Sequence, residues 1–171
     1  TLALAGSQSV TVFTPTPGGG ASASRTFDVM APLPVATSVA PATLAAGAGQ
    51  STLTVTGTGF VNTSVVRWNG GALATTYVNA TTVTAVVPAA SLTTPGTAQI
   101  TVFNPTPGGG ASSAVTFTIA YPIATLSTVA PTSVFAASPV TAITLTGSGF
   151  FPATVVRWNG TDLATTFVTS T

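Results

Sequence analysis

The chain has 171 residues, with three Arg (Arg25, Arg67, Arg157), two Asp (Asp28, Asp162) and no Lys, Glu, His or Cys. Charged residues make up 3% of it, against about 25% in an ordinary soluble domain. Two Asp and two Tyr (Tyr77, Tyr121) are a poor stock for acid–base catalysis, zinc and iron–sulfur sites lack their Cys and His, and a net charge of +1 is no basic patch for nucleic acid, so the composition describes a structural or binding object and not an enzyme.

In chain order, the opening Thr1-Leu2-Ala3-Leu4-Ala5-Gly6 has neither Met nor a basic region. It therefore does not read as a signal peptide, and the chain is expected to be processed, excised or internal. Val10, Val12, Phe27 and Val29 have inward parity on the strands that follow. Arg25 shares that parity at a strand start, where it is expected to snorkel at the sheet end. An early strand covers Val35 to Ala40. Thr52 to Thr56 alternates strictly, with Leu53 and Val55 inward and Thr outward, and Gly57-Thr58-Gly59 reads as the turn after it. In Ser64 to Trp68, Val66 and Trp68 share the inward face, while Val65 and Arg67 share the other. Asn69-Gly70-Gly71 closes that strand with residues that accept positive φ. Leu73 to Val78, Thr82 to Val87 (ended by Pro88), Thr97 to Phe103 and Ala111 to Ile119 complete a set of about seven short strands with frequent turns, the pattern of an Ig-like sandwich. The predicted core is Leu53, Val55, Phe60, Val66, Trp68, Val83, Ala85, Ile100, Val102, Val115, Phe117 and Ile119. Thr is β-branched, and a chain rich in it and lacking Lys and Glu is poor in helix formers, so no significant helix is expected.

The chain repeats itself. Val12-Phe13-Thr14-Pro15-Thr16-Pro17-Gly18-Gly19-Gly20 returns 90 residues later as Val102-Phe103-Asn104-Pro105-Thr106-Pro107-Gly108-Gly109-Gly110. Val65-Val66-Arg67-Trp68-Asn69-Gly70 returns as Val155-Val156-Arg157-Trp158-Asn159-Gly160. Laid on 91–171 without a gap, residues 1–81 are identical at 37 of 81 positions. The period is that of a whole small domain strung in tandem, longer than a solenoid repeat. Pro32 aligns with Pro122, which places the boundaries there. Residues 1–31 form the C-terminal half of one repeat, 32–121 a complete repeat, and 122–171 the N-terminal half of another. Joining residue 171 to residue 1 would omit only the equivalents of residues 82–90. By the same alignment Ile143, Leu145, Phe150, Val156 and Trp158 are core equivalents in the last segment.

The segments Val39-Ala40-Pro41, Leu53 to Phe60, Val66-Arg67-Trp68-Asn69-Gly70, Pro88, Thr97 to Asn104 with Pro105, and Phe117 resemble the IPT/TIG domain. The Gly-Thr-Gly-Phe and Trp-Asn-Gly turns are its most specific parts, and Trp68 stands where the family more often has Phe. The resemblance implies an all-β fold of tandem Ig-like sandwiches, one complete and two partial. It also implies a role in modular surface or binding proteins. It carries no catalytic residues and no cofactor.

Few side chains are candidates for a site. Gly108-Gly109-Gly110 lacks the Lys and the following helix of a phosphate-binding loop, and reads as a hairpin. Asn62-Thr63-Ser64, Asn79-Ala80-Thr81 and Asn159-Gly160-Thr161 fit the N-glycosylation pattern, which makes Asn62, Asn79 and Asn159 candidates for sugar. Arg67 and Arg157 are the one repeated charge and are candidates for contact with a neighbouring domain or subunit. Asp28 and Asp162 are too few for calcium.

Mean hydropathy is +0.61, yet Thr, Ser, Gly and Pro interrupt every apolar run before it could span a membrane as a helix. The expected role is a structural fibre or surface array, extracellular or at the cell surface. Its partners would be copies of itself joined head-to-tail, the partial ends being completed by neighbouring chains or by the rest of a longer array. Glycans are a further candidate partner. The alternative is an adhesin or carbohydrate-binding module of a large secreted protein.

Overall fold

The computed structural model describes residues 5–139 and 141–171. Residues 1–4, which open the segment tested above for a signal peptide, lie outside the described residues. The chain divides into two compact units, Thr1–Ile119 and Ala120–Thr171.

The first unit begins with strands β1 (Gly6–Val10), β2 (Phe13–Thr14), β3 (Gly20–Ala21) and β4 (Arg25–Val29), where β1 pairs with β4 and β2 with β3. Ten more follow: β5 (Val35–Ala40), β6 (Thr43–Ala45), β7 (Ser51–Thr58), β8 (Val65–Trp68), β9 (Gly71–Ala72), β10 (Ala74–Asn79), β11 (Thr82–Val87), β12 (Gly96–Asn104), β13 (Gly110–Ala111) and β14 (Val115–Ala120). They form two sheets, ordered β10-β11-β7-β5 and β6-β14-β12-β8-β9, with β13 on β12. This is an all-β, Ig-like sandwich. One short 3-10 turn, Ala89–Leu92, interrupts the strands.

Alternation explains the layers. One sheet buries Leu53 and Val55 from β7 and Val83, Ala85 and Val87 from β11. The other buries Val66 from β8, Ala98, Ile100 and Val102 from β12, and Phe117 and Ile119 from β14. The Thr residues between them stand on the outer faces. Each such Leu, Val, Ile or Phe contributes about 1.5–3 kcal/mol when it leaves water.

Several sequence expectations need correction. The strand read as ending before Gly57 continues to Thr58, and Gly57 is buried inside it. The predicted Ala111 to Ile119 strand is two pieces, β13 and β14, and Leu73 to Val78 is the single strand Ala74–Asn79. Strand β6 was not foreseen. Trp68 and Val115 are half-buried. In the outer segments the predicted core residues are not core: Val10, Val12, Phe27 and Trp158 are exposed, and Val29, Ile143, Leu145, Phe150 and Val156 are half-buried. Parity decides which face a side chain takes. Burial requires a second sheet against that face, and among the described residues only the central sandwich has both.

The second unit has β15 (Thr125–Ala130) paired with β16 (Thr144–Ser148), and β17 (Arg157–Trp158) paired with β18 (Thr161–Asp162). Its ladders copy those of the sandwich at an offset of 90. Val39 faces Val55 on β5 and β7, as Val129 faces Leu145 on β15 and β16, and both ladders carry the same register shift. The Arg67–Ala72 pair of β8 and β9 becomes Arg157–Asp162. Likewise Gln99–Thr116 of β12 and β14 is Ser9–Thr26 of β1 and β4.

Candidate functional site

The charges come first because there are so few. Arg67 stands on β8 opposite Thr101 of β12, two positions from the Val65–Phe103 pair and on the same face. Its guanidinium carbon lies 3.7 Å from the centre of the Phe103 ring. This is a cation–π contact on the outer face of the sheet. Arg67 points outward as its parity predicts, but it is half-buried and engaged within its own sandwich. Arg67→Ala is expected to lower the stability of the sandwich by about 1 kcal/mol, measured by chemical denaturation.

Arg157 has a different partner. Its Nε donates to Asp162 Oδ1 at 2.7 Å across β17 and β18, with both side chains mostly in solvent. A pair so exposed adds little stability. Position 72, the equivalent of Asp162, is Ala. Asp28 accepts a 2.5 Å hydrogen bond from Ser7 Oγ, its cross-strand neighbour. Arg25 is exposed at the end of β4, opposite Val10.

The asparagines divide by role. Asn62 is exposed in the loop before β8. Asn79 is exposed too, but its Oδ1 already accepts from the amide and the hydroxyl of Thr81, so its glycosylation pattern is folded into a tight turn. Asn159 is exposed with φ 48, in the left-handed conformation that the Trp-Asn-Gly turn requires.

Two further asparagines carry more structure: Asn69, which the sequence marks as a turn residue, and Asn104, which sequence reasoning passed over. Asn69, the equivalent of Asn159, has φ 47; its backbone N–H donates to Gln99 O at 2.9 Å, and its side-chain Oδ1 accepts from Gln99 N at 2.8 Å. It thereby clamps the turn after β8 to β12. Asn104 is fully buried. Its Nδ2 donates to Pro32 O and to Gly59 O at 2.9 and 2.7 Å, and its Oδ1 accepts from Ser64 Oγ at 2.6 Å. One side chain ties two loops, the one before β5 and the one between β7 and β8, to the end of β12. The only sequence signal was an Asn where the preceding copy has Thr14.

The glycine-rich hairpin after Pro17 frames an open hollow of about 450 Å³, lined by Val12, Thr14, Gly18 to Ala21 and Ser22. No charged side chain lines it. Ser22 Oγ accepts from Val12 N there, as Ser112 Oγ does from Val102 N in the sandwich.

Among the described residues the geometry offers exposed apolar surfaces. Val10, Val12 and Phe13 are 51%, 69% and 67% exposed along β1 and β2, and Trp158 is 62% exposed on β17. No described helix is long and apolar enough to cross a membrane. A search of curated proteins finds no match to the chain. Residues 34–119 match a protein-family model, that of the IPT/TIG domain.

Proposed function

The chain belongs to the IPT/TIG family, and from that premise we propose that it is a structural unit of a fibre or surface array. Domains of this family are commonly found in surface or adhesion-type proteins and are typically non-catalytic. In this reading the chain sits outside the cell or on its surface and performs no catalysis. Its three segments, 1–31, 32–121 and 122–171, are parts of successive sandwiches. The partial ones are completed by neighbouring chains or by the rest of a longer array.

The observation that carries this is the 90-residue repeat with its reproduced strand registers. The segments on either side of the complete sandwich hold the same ladders yet leave much of their apolar faces in water. A surface with five charges does little to keep copies apart. The adhesin or carbohydrate-module alternative draws on exposed aromatics such as Phe13, Tyr121, Phe135 and Trp158, which lie on separate strands and loops.

Electron microscopy of the native protein tests the proposal. Regular filaments or arrays of beaded domains are the expected result, and dispersed single particles would overturn it. The mass of the native chain separates the two forms of assembly. About 17 kDa (the sequence gives 16.7 kDa) means chains joined non-covalently, and a far larger mass means one long array.

A further inference from the structure

We propose that the exposed faces at the two ends of the chain are complementary halves of one interface between copies. Residues 6–14 of one copy add as an antiparallel strand to β17 of a second, with Val10 opposite Trp158, Thr11 opposite Arg157, Val12 opposite Val156 and Phe13 opposite Val155. The inference rests on the array reading above and names its contact.

The central sandwich already contains this contact. There β12 pairs with β8 as Ile100–Trp68, Thr101–Arg67, Val102–Val66 and Phe103–Val65. Shifted by 90, these are the four proposed pairs, and Val10 for Ile100 is the one substitution among the eight residues. Every ladder present in both the sandwich and an outer segment keeps its register under that shift. The β12–β8 ladder, like the β6–β14 pairing, has its two equivalents at opposite ends of the chain. Among the described residues β1 pairs only with β4, and β17 only with β18, so each keeps an open edge where the missing partner belongs. Open edges with apolar faces recruit strands.

The side chains at those edges fit the same docking. Trp68 packs on Phe117 with ring centres 5.1 Å apart; the equivalents, Trp158 and Phe27, are 62% and 48% exposed. Arg67 lies on Phe103; the equivalents are Arg157, held only by an exposed Asp162, and Phe13. Asn69 clamps the backbone of Gln99; Asn159 holds the same turn conformation, has no hydrogen-bond partner among the described residues, and would clamp Ser9. One tie is weaker in the composite. Thr14 replaces Asn104, and a hydroxyl cannot donate to two carbonyls.

The chain has no cysteine, so the register can be read by disulfide trapping. Two full-length variants, Thr11→Cys and Arg157→Cys, are purified separately, mixed and oxidised. Each holds one thiol, so any bond between the two variants joins different chains. Directly opposed residues lie within disulfide reach. A mixed dimer as the main product is expected, and Gln8→Cys in place of Thr11→Cys, three positions out of register, should trap little. A second variant, Val12→Asp, should abolish association while the central sandwich melts as in the parent, because Val12 is outside its core. Equal trapping at both positions, no trapping at Thr11, or undiminished association of Val12→Asp would each overturn the proposal. Filaments seen without the Thr11–Arg157 trap would sink this contact and leave the array reading standing. Single particles alone would sink both.

Discussion

Gly57→Ala should lower the melting temperature of the sandwich by roughly 10–20 °C, the equivalent of about 3 kcal/mol for a domain of this size. Gly57 is buried within β7, where β5 crosses closely. A Cβ built on it falls 1.9 Å from the carbonyl oxygen of Val35 and 2.7 Å from Cζ of the Phe60 ring. The ring can swing away. The carbonyl belongs to a paired strand and can move only if the β5–β7 ladder opens. The double variant Gly57→Ala/Phe60→Leu separates the two obstacles, and it should remain far below the parent. Recovery of most of the lost stability in the double variant, by thermal denaturation followed in the far ultraviolet, would show that the ring and not the backbone sets the constraint. The same approach recurs at Gly147, 1.9 Å from Thr125 O and 2.8 Å from Phe150, so both copies need glycine there for the same reason.

Asn104→Ala is expected to cost about 2–3 kcal/mol, because it strips two donors from the Pro32 and Gly59 carbonyls and leaves Ser64 without its acceptor. Asn104→Thr sharpens the test. Threonine occupies the equivalent position 14 and has the β-branched shape that strands favour. Its one hydroxyl can satisfy one carbonyl at most, so the loss should stay above about 1 kcal/mol. Equilibrium urea unfolding would measure both. A threonine variant as stable as the parent would mean that shape, and not the amide's donors, holds these loops.

These two positions also mark the limits of what the sequence discloses. The fold was legible in detail where a strand is buried on one face only. Thr52 to Thr56 declares Leu53 and Val55 as core by simple alternation, and the same holds for Val83, Ala85, Ile100 and Val102. The repeat made the outer segments legible as copies of the same strands. Contacts between distant parts of the chain were not legible. Asn104 reaches Pro32 across 72 residues, and nothing near position 104 announces that reach. Gly57 looked like half of a turn because glycine is ambiguous; only the approach of Val35 shows that it serves close packing instead. Leu92 is fully buried although it sits in a short 3-10 turn that alternation does not describe. The reverse error came from treating parity as burial, and it put Trp158 and Val12 in a core that their segments do not enclose. For the repeated arginine, sequence supplied the outward face but not the ring that Arg67 covers, because Phe103 lies on a different strand.

The seating of Arg67 has a consequence for digestion. A protease that cuts after Lys or Arg finds three addresses in the whole chain, Arg25, Arg67 and Arg157. The middle one lies in a paired strand with its side chain laid on an aromatic ring, where the backbone cannot enter a protease cleft until the sandwich opens. Amine-directed chemistry finds no lysine at all. For trypsin, the sandwich from β5 to β14 is a single indigestible block, and its survival in a digest is a direct count of folded molecules.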